Sequence, residues 1–308
     1  MILKNVAVLM GGISREREVS LRSGAAVARG LRKSGYQVQE IDLTSAELTV
    51  PSDIQAVFIA LHGEFGEDGT IQKILERMKL PYTGSSPEAS RNAFDKLLSK
   101  KVLIRNGIMT PPYEILRPGE ARSMPLPVVV KPLRQGSSLG VHCVVSEDAW
   151  PAALADALTH NGEVLVEEFI PGRELTVGLV QDRALPVIEI RAPGDNYDYH
   201  AKYTQGATQY IVPASVSRET AELCSGVAKR TFLALGAAGY GRVDFRLHND
   251  GTLYVLELNT IPGFTETSLL PKAAAAAGLG FPELCAMIMR QACLKTRRQD
   301  LIEVGHVV

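Results

Sequence analysis

The residue types best suited to chemistry lie in Gly241-Arg242-Val243-Asp244-Phe245-Arg246-Leu247-His248-Asn249-Asp250-Gly251-Thr252-Leu253-Tyr254-Val255-Leu256-Glu257-Leu258-Asn259. Asp250-Gly251 between two alternating runs predicts a β-hairpin with a two-residue loop, and that register sets Asp244 opposite Glu257 and Arg242 opposite Asn259. Residues two apart on a strand share a face, so Asp244, Glu257 and Asn259 converge, while Val243, Phe245, Leu247, Tyr254, Leu256 and Leu258 form an apolar back. Two carboxylates about 5 Å apart across a ladder destabilise it unless something compensates. A hard cation held by carboxylate and amide oxygens would do so, and magnesium is the expected ion. The other reading of the same face is a solvated one that Arg242 and Arg246 neutralise.

Lys131 and the following Gly136-Ser137-Ser138-Leu139-Gly140 form a glycine-serine loop whose N–H groups and hydroxyls can cover phosphates, with the lysine as a point charge. The chain contains no G-x-x-x-x-G-K-[ST] run and no H-R-D motif, which excludes a P-loop and a protein kinase. Thr260 to Leu269 is rich in turn residues, and Gly263 lets the backbone approach a ligand. Backbone donors there, beside a cation and an arginine, suit a developing oxyanion. His62 follows a strand at the edge where open α/β sheets place ligands, and reads either as a site residue or as a structural histidine. No second histidine stands at zinc-ligand spacing. Tyr197, Tyr199 and Tyr203 read either as binding residues or as a packed aromatic cluster.

Positioning these groups requires strands at Val6–Met10, Val38–Leu43 and Ala56–Leu61, with a helix from about Glu16 to Lys33 capped by Ser14, a βαβ arrangement. A charged helical stretch runs from Ser86 to Asn106 and ends at Gly107 and Thr110-Pro111-Pro112, where a second lobe begins. Strands at Val128–Lys131 and Val141–Val145 flank the glycine-serine loop, a helix covers Glu147–Thr159, and a strand over Val164–Ile170 carries Glu167 and Glu168. Pro193 to Gln209 has neither hydrophobic period and predicts a long loop of the kind that serves as a lid.

At 308 residues the chain is too long for one core, and 45% hydrophobic with 22% charged residues excludes a disordered or disulfide-scaffold protein. Thirty-three Lys plus Arg against 34 Asp plus Glu supply no field for a nucleic acid or an anionic membrane, so neither is an expected partner. Cys143, Cys224, Cys285 and Cys293 form no C-x-x-C pair and read as reduced thiols, which fits a cytoplasmic protein. No basic leader precedes the first strand and no run approaches the ~18 apolar residues of a spanning helix, so neither export nor insertion is expected. The absence of G-x-G-x-x-G after the first strand disfavours a dehydrogenase.

In their order, these segments resemble the D-alanine–D-alanine ligases of the ATP-grasp superfamily, from the first strand to about Gly278. The resemblance is carried by Gly11-Gly12-x-Ser14-x-Glu16-Arg17-Glu18-Val19-Ser20, Ala60-Leu61-His62-Gly63 with Gly66-Glu67-Asp68-Gly69, and Pro81-Tyr82-Thr83-Gly84-Ser85. It continues through Lys131-Pro132 with Gly136-Ser137-Ser138-x-Gly140, Tyr197-Asp198-Tyr199 with Ala201-Lys202-Tyr203, Gly241-Arg242-x-Asp244, and Glu257-x-Asn259-Thr260-x-Pro262-Gly263.

The resemblance implies a mixed α/β, three-lobed ATP-grasp fold. An N-terminal open parallel α/β (pre-ATP-grasp) domain over 1–86 precedes a central lobe over 87–182, and a C-terminal lobe over 183–308 carries the metal site and a mobile loop at 193–210. It implies Lys96 and Lys131 on ATP phosphates, Glu167, Glu168 and Ile170 around adenine, and Glu174 on the ribose. Asp244, Glu257 and Asn259 would hold Mg2+ or Mn2+, with two ions expected. Glu16 would hold the ammonium of the first D-alanine with His62 nearby, Arg242 and the Gly263 backbone the oxyanion, and Ser268 and Leu269 the second carboxylate. Ser137 and Tyr203 would tie the closed loop to Glu16, and Lys202 would reach the γ-phosphate. D-alanine is then the substrate, D-alanyl-D-alanine for peptidoglycan the product, and a homodimer the expected assembly. Two alternatives remain: a same-fold ligase for another D-amino acid or D-lactate, which Tyr203 argues against, and a silent nucleotide-binding protein, which predicts loss of Arg242, Asp244, Glu257 or Lys131. All four are present. His200 stands where the loop often carries an acid, which adds a group titrating near neutrality, and Arg15 and Glu266 flank motif positions.

Overall fold

The computed structural model describes residues 4–191 and 208–295. β1 (Asn5–Gly11), buried from Val6 onward, lies between β2 (Gln37–Leu43) and β3 (Ala56–Ile59) in a parallel sheet of order β2-β1-β3. Parallel neighbours need a crossover, and α1 (Arg17–Lys33) supplies the first one, as the spacing predicts. Ser14 is not its cap: the Ser14 hydroxyl donates to the His62 carbonyl at 2.7 Å and accepts from the Glu16 N–H at 3.2 Å, so it ties the start of the helix to the loop after β3. α2 (Thr70–Arg77) follows.

The helix expected over Ser86–Asn106 is two, α3 (Pro87–Phe94) and α4 (Lys96–Arg105), broken at Asp95. Asp95 leaves the helical region (φ −82°, ψ 106°) and its carboxylate accepts from the N–H groups of Leu97 and Leu98. A capping side chain reaches those donors only from a non-helical backbone. The break brings Lys96 to the first position of the new helix.

β4 (Tyr113–Leu116), β5 (Val128–Pro132), β6 (His142–Val144) and β7 (Val164–Glu168) form an antiparallel sheet of order β4-β7-β5-β6. α5 (Trp150–Asn161) covers one face, and Leu116, Val128, Val130, Val144, Ala153, Ala157, Val164 and Val166 make a separate core.

A third, antiparallel sheet contains β8 (Arg173–Val180), β9 (Arg183–Ala184), β10 (Ile188–Arg191), β11 (Gln209–Ile211), β12 (Tyr240–Leu247) and β13 (Leu253–Asn259), in the order β11-β10-β8-β12-β13 with β9 beside β8. The lobe boundary expected at 182 therefore falls inside this sheet, between β8 and β9, and the change of sheet comes at Pro171-Gly172. α6 (Arg218–Ala234) buries one face through Cys224, Ala228 and Phe232 against Val177, Val243, Phe245 and Val255. On the other face α7 (Leu269–Ala276) and α8 (Phe281–Met289) pack with Val180, Ile188 and Ile190 into one core with β1, α1 and β3. Among the described residues no single helix is long and apolar enough to cross a membrane.

The β12–β13 hairpin departs from its predicted form in two places. The His248 N–H donates to the Thr252 carbonyl at 2.9 Å, so the turn holds three residues, Asn249 to Gly251, with Gly251 in the left-handed region at φ +90°. The pairing above it is consequently Leu247 with Leu253, Arg246 with Tyr254 and Phe245 with Val255. A β-bulge between Asp244 and Phe245 then leaves Leu256 as the extra residue and restores Asp244 opposite Glu257 and Arg242 opposite Asn259. The two departures cancel at the carboxylates but not beyond them. Leu253 and Val255 join the apolar back with Leu258, whereas Tyr254 and Leu256, expected there, are only half-buried.

Rings of Phe58, Tyr240 and Phe264 join the first and third sheets, with Phe264 edge-on to Phe58 at 5.5 Å and to Tyr240 at 5.8 Å. Phe264→Ala is expected to cost about 3–5 kcal/mol of stability, read as a lowered urea midpoint at an unchanged slope.

Candidate active site

Two cavities meet between the sheets. The larger, about 720 Å³, is lined by Glu16, His62, Ser137, Arg242, Gly263, Ser268 and Leu269 among others. The smaller, about 120 Å³, is lined by Lys131, Glu167, Glu168, Ile170, Glu174 and Asp244. Lys96, Gln135 and Glu257 border both. The structure thus brings together the described residues expected at the site, with Asn259 also on the larger cavity. Lys202, Tyr203 and His200 lie outside the described residues.

Glu16, just ahead of α1, is buried, and its carboxylate accepts a hydrogen bond from the Ser137 hydroxyl in the glycine-serine loop. The backbone comes close on both sides of that carboxylate: a Cβ at Gly63 or Gly136 would stand 2.6 or 2.7 Å from Glu16 Oε2 and displace it. Ser137 and Ser138 both adopt the left-handed region (φ +51° and +58°), a strained conformation for L residues. The loop is held by the Ser137–Glu16 contact and by Lys96 Nζ, which donates to the Gln135 carbonyl at 2.6 Å.

His62 lies fully inside, with Nδ1 3.1 Å from the Ile261 carbonyl and Nε2 3.1 Å from the Ser23 hydroxyl, which itself accepts from the Phe264 N–H. Burial favours the neutral ring, but Glu67, 3.7 Å from Nδ1, together with Glu16 and the Ile261 carbonyl, outweighs it and raises the imidazole above its ordinary value. Such a group stabilises the fold fully below its unfolded pKa of about 6.5, and the contribution is lost as pH rises through the folded value. His62→Gln is therefore expected to remove part of the fall in melting temperature above about pH 6.5, measured as Tm against pH for both proteins.

In the smaller cavity Glu167 is 1% exposed and pairs with two lysines, Lys100 at 2.7 Å and Lys131. Burial pushes its carboxyl up, but the two cations overcome this and hold it below the usual carboxylate range. Lys100, also 1% exposed, donates to the Thr110 hydroxyl at 2.8 Å and the Pro111 carbonyl at 2.9 Å; burial lowers its pKa against the opposing pull of Glu167. Glu167 lines the cavity as expected, and its carboxylate pairs there with both lysines. Glu168 is exposed, Ile170 is buried, and Glu174 lies 3.5 Å from Arg246.

Asp244 receives both Nε and Nη2 of Arg242, at 2.8 and 2.7 Å, and the Thr176 hydroxyl at 2.6 Å. Glu257 faces it across the hairpin, 4.0 Å from Lys96, and the Asn259 side-chain oxygen accepts from the Ile261 N–H at 3.0 Å. In this state the arginine neutralises the face. The donors are all hard oxygens, two carboxylates and an amide, and they fit a magnesium-type ion. Among the described residues no trio of acid, histidine or cysteine side chains assembles for a metal, because the third donor here is an amide.

Lys100 and Thr176 were not singled out from sequence. Lys100 stands four residues after Lys96, a spacing that shares one helix face, but in a charged helix that pattern reads as solvated; only the opposing Glu167 shows it is internal. Lys100→Met is expected to cost about 3 kcal/mol, the order for breaking a buried ion cluster, because Glu167 is left with Lys131 as its one counter-charge; urea unfolding measures the loss.

Family models described as D-ala D-ala ligase N-terminus and C-terminus match residues 44–85 and 101–290. The chain is 46% identical over 297 residues to a D-alanine–D-alanine ligase of Syntrophotalea carbinolica, covering 95% of this chain and 97% of the relative. It is 43% identical to one of Methylacidiphilum infernorum, covering 95% and 96%. Among solved structures, the D-alanine–D-alanine ligase of Bacillus anthracis complexed with ATP superposes with a TM-score of 0.84 at 33% identity, over 96% of this chain and 99% of that one. A D-Ala:D-Ser ligase of Enterococcus faecalis superposes at 0.82 with 27% identity, over 94% and 99%. With its three sheets, its paired cavities and these relatives, the chain belongs to the D-alanine–D-alanine ligase family, with the ATP-grasp fold.

Proposed function

We propose that this protein joins two D-alanine molecules into D-alanyl-D-alanine, a peptidoglycan precursor, while ATP is converted to ADP and phosphate. The observation that carries the reading is the junction of the two cavities at Lys96, Gln135 and Glu257. A nucleotide in the smaller cavity would direct its γ-phosphate toward a carboxylate held in the larger one. Phosphoryl transfer is chiefly positioning and electrostatics, and the junction provides both.

In this reading Lys131 and Lys96 face the phosphates, Ile170 and the segment around it the base, and Glu174 the ribose. Glu16 holds the ammonium of the first D-alanine, whose carboxylate oxygen attacks the γ-phosphorus and expels ADP. The amine of the second D-alanine, with its carboxylate at Ser268 and the start of α7, then attacks the acyl carbon. Arg242 and the Gly263 N–H stabilise the tetrahedral oxyanion, phosphate departs, and the attacking nitrogen loses a proton. Asp244, Glu257 and Asn259 would hold magnesium, two ions in this reading, which would neutralise phosphate charge. Lys202 and Tyr203, outside the described residues, would complete the set. The lobes are 1–86, about 87–172 and the remainder, and the protein acts as a cytoplasmic homodimer.

Purified protein with ATP and magnesium is expected to release phosphate with D-alanine and not with L-alanine, and mass spectrometry to find D-alanyl-D-alanine. Glu257→Gln is expected to abolish that turnover with the melting temperature retained; near-normal activity would remove Glu257 from the phosphate-transfer site. Phosphate release without any dipeptide would overturn the reading as a whole.

A further inference from the structure

The reaction leaves one buried charge in the nucleotide cavity without a task. Arg246 stands two residues beyond Asp244 on β12, directly opposite Glu174 on β8, and is 9% exposed. Its Nε donates to the Ile170 carbonyl at 3.1 Å, Nη1 lies 3.5 Å from Glu174 Oε2, and the guanidinium sits 5.6 Å from the centre of the Phe169 ring. Its Nη2 is buried with no hydrogen-bond partner among the described residues. Arg246, Phe169, Ile170 and Glu174 all line the same cavity.

We propose that Arg246 is a positioning residue for the nucleoside: it orients the Glu174 carboxylate toward the ribose hydroxyls and pins the Ile170 segment that borders the base. Its Nη2 group is left for an acceptor on the nucleoside. The inference rests on Glu174 being the ribose acid. The geometry supports a shared action because the guanidinium spans two sheets: Ile170 follows the last strand of the central sheet, whereas Glu174 and Arg246 are paired in the third. A planar fork can hold a carbonyl and a carboxylate in fixed relation, which a single ammonium cannot. A buried donor without a partner is unfavourable in the open cleft, and a bound acceptor removes that penalty.

The test is direct binding of ATP, 2′-deoxy-ATP and 3′-deoxy-ATP, with magnesium, to the wild type, Arg246→Met, Arg246→Lys and Glu174→Gln. In the wild type, loss of a ribose hydroxyl is expected to weaken binding about tenfold, the order of one well-placed hydrogen bond to a charged group. Arg246→Met is expected to weaken ATP by a similar factor and to bring ATP level with its deoxy analogues, and Glu174→Gln is expected to do the same. Arg246→Lys, which keeps the charge but not the fork, should recover affinity and only part of the discrimination. In steady state Arg246→Met should raise the KM for ATP with kcat and the KM for D-alanine little changed, a split that general loss of packing would not produce. If Arg246→Met, or Arg246→Lys should the methionine variant fail to fold, keeps the full wild-type preference for ribose, the inference is overturned. A wild type with no preference overturns the Glu174 assignment first and this inference with it.

Discussion

Asp244 and Glu257 face each other on neighbouring strands, and a pair of like charges in that position is tolerated only if cations or donors are brought to it. They come from three elements: Arg242 on β12 grips Asp244, Thr176 on β8 donates to it, and Lys96 at the head of α4 lies 4.0 Å from Glu257. The bulge at Leu256 is what makes the pair possible. Under the pairing that the three-residue turn begins, Asp244 would oppose Leu256, and Glu257 would fall opposite Val243 on the apolar back. One extra residue on β13 therefore decides whether the sheet presents an acidic site at all.

Charge is handled the same way deeper in the cleft. Glu167 is kept ionised inside the protein by two lysines, and in return it fixes Lys131 at the cavity wall. Arg246 and Glu174 form a further opposed pair, so cations and acids alternate along the walls between which a polyanionic nucleotide would lie. The site is preorganised by buried ion pairs, whose desolvation cost is offset only by their close partners.

The first and third sheets share one apolar core, whereas the central sheet has its own. The substrate cavity is thus framed by a continuous packed body, and the glycine-serine loop reaches it from a separately packed one through polar contacts, Ser137 to Glu16 and Lys96 to Gln135. A joint made of hydrogen bonds and strained serines can open at far lower cost than a shared core, which suits a cleft that must admit ATP and release products.

The parallel strands, the helix between them, the hairpin and its facing carboxylates were legible in the sequence because they follow from short-range rules: buried apolar runs, an Asp-Gly turn, side chains alternating across a strand. The ordered motifs also carried the family. What those rules could not reach were the events decided by distant partners. The turn of three residues and its compensating bulge each depend on what packs against the segment. The inward path of Lys100 and the capture of Glu167 by two lysines depend on residues far apart in the chain. A charged side chain reads as solvated until its buried counter-charge is known, so residue type and spacing determined which chemistry the chain can do, and the tertiary structure alone decided which of its charges are paired and which are left to meet a ligand.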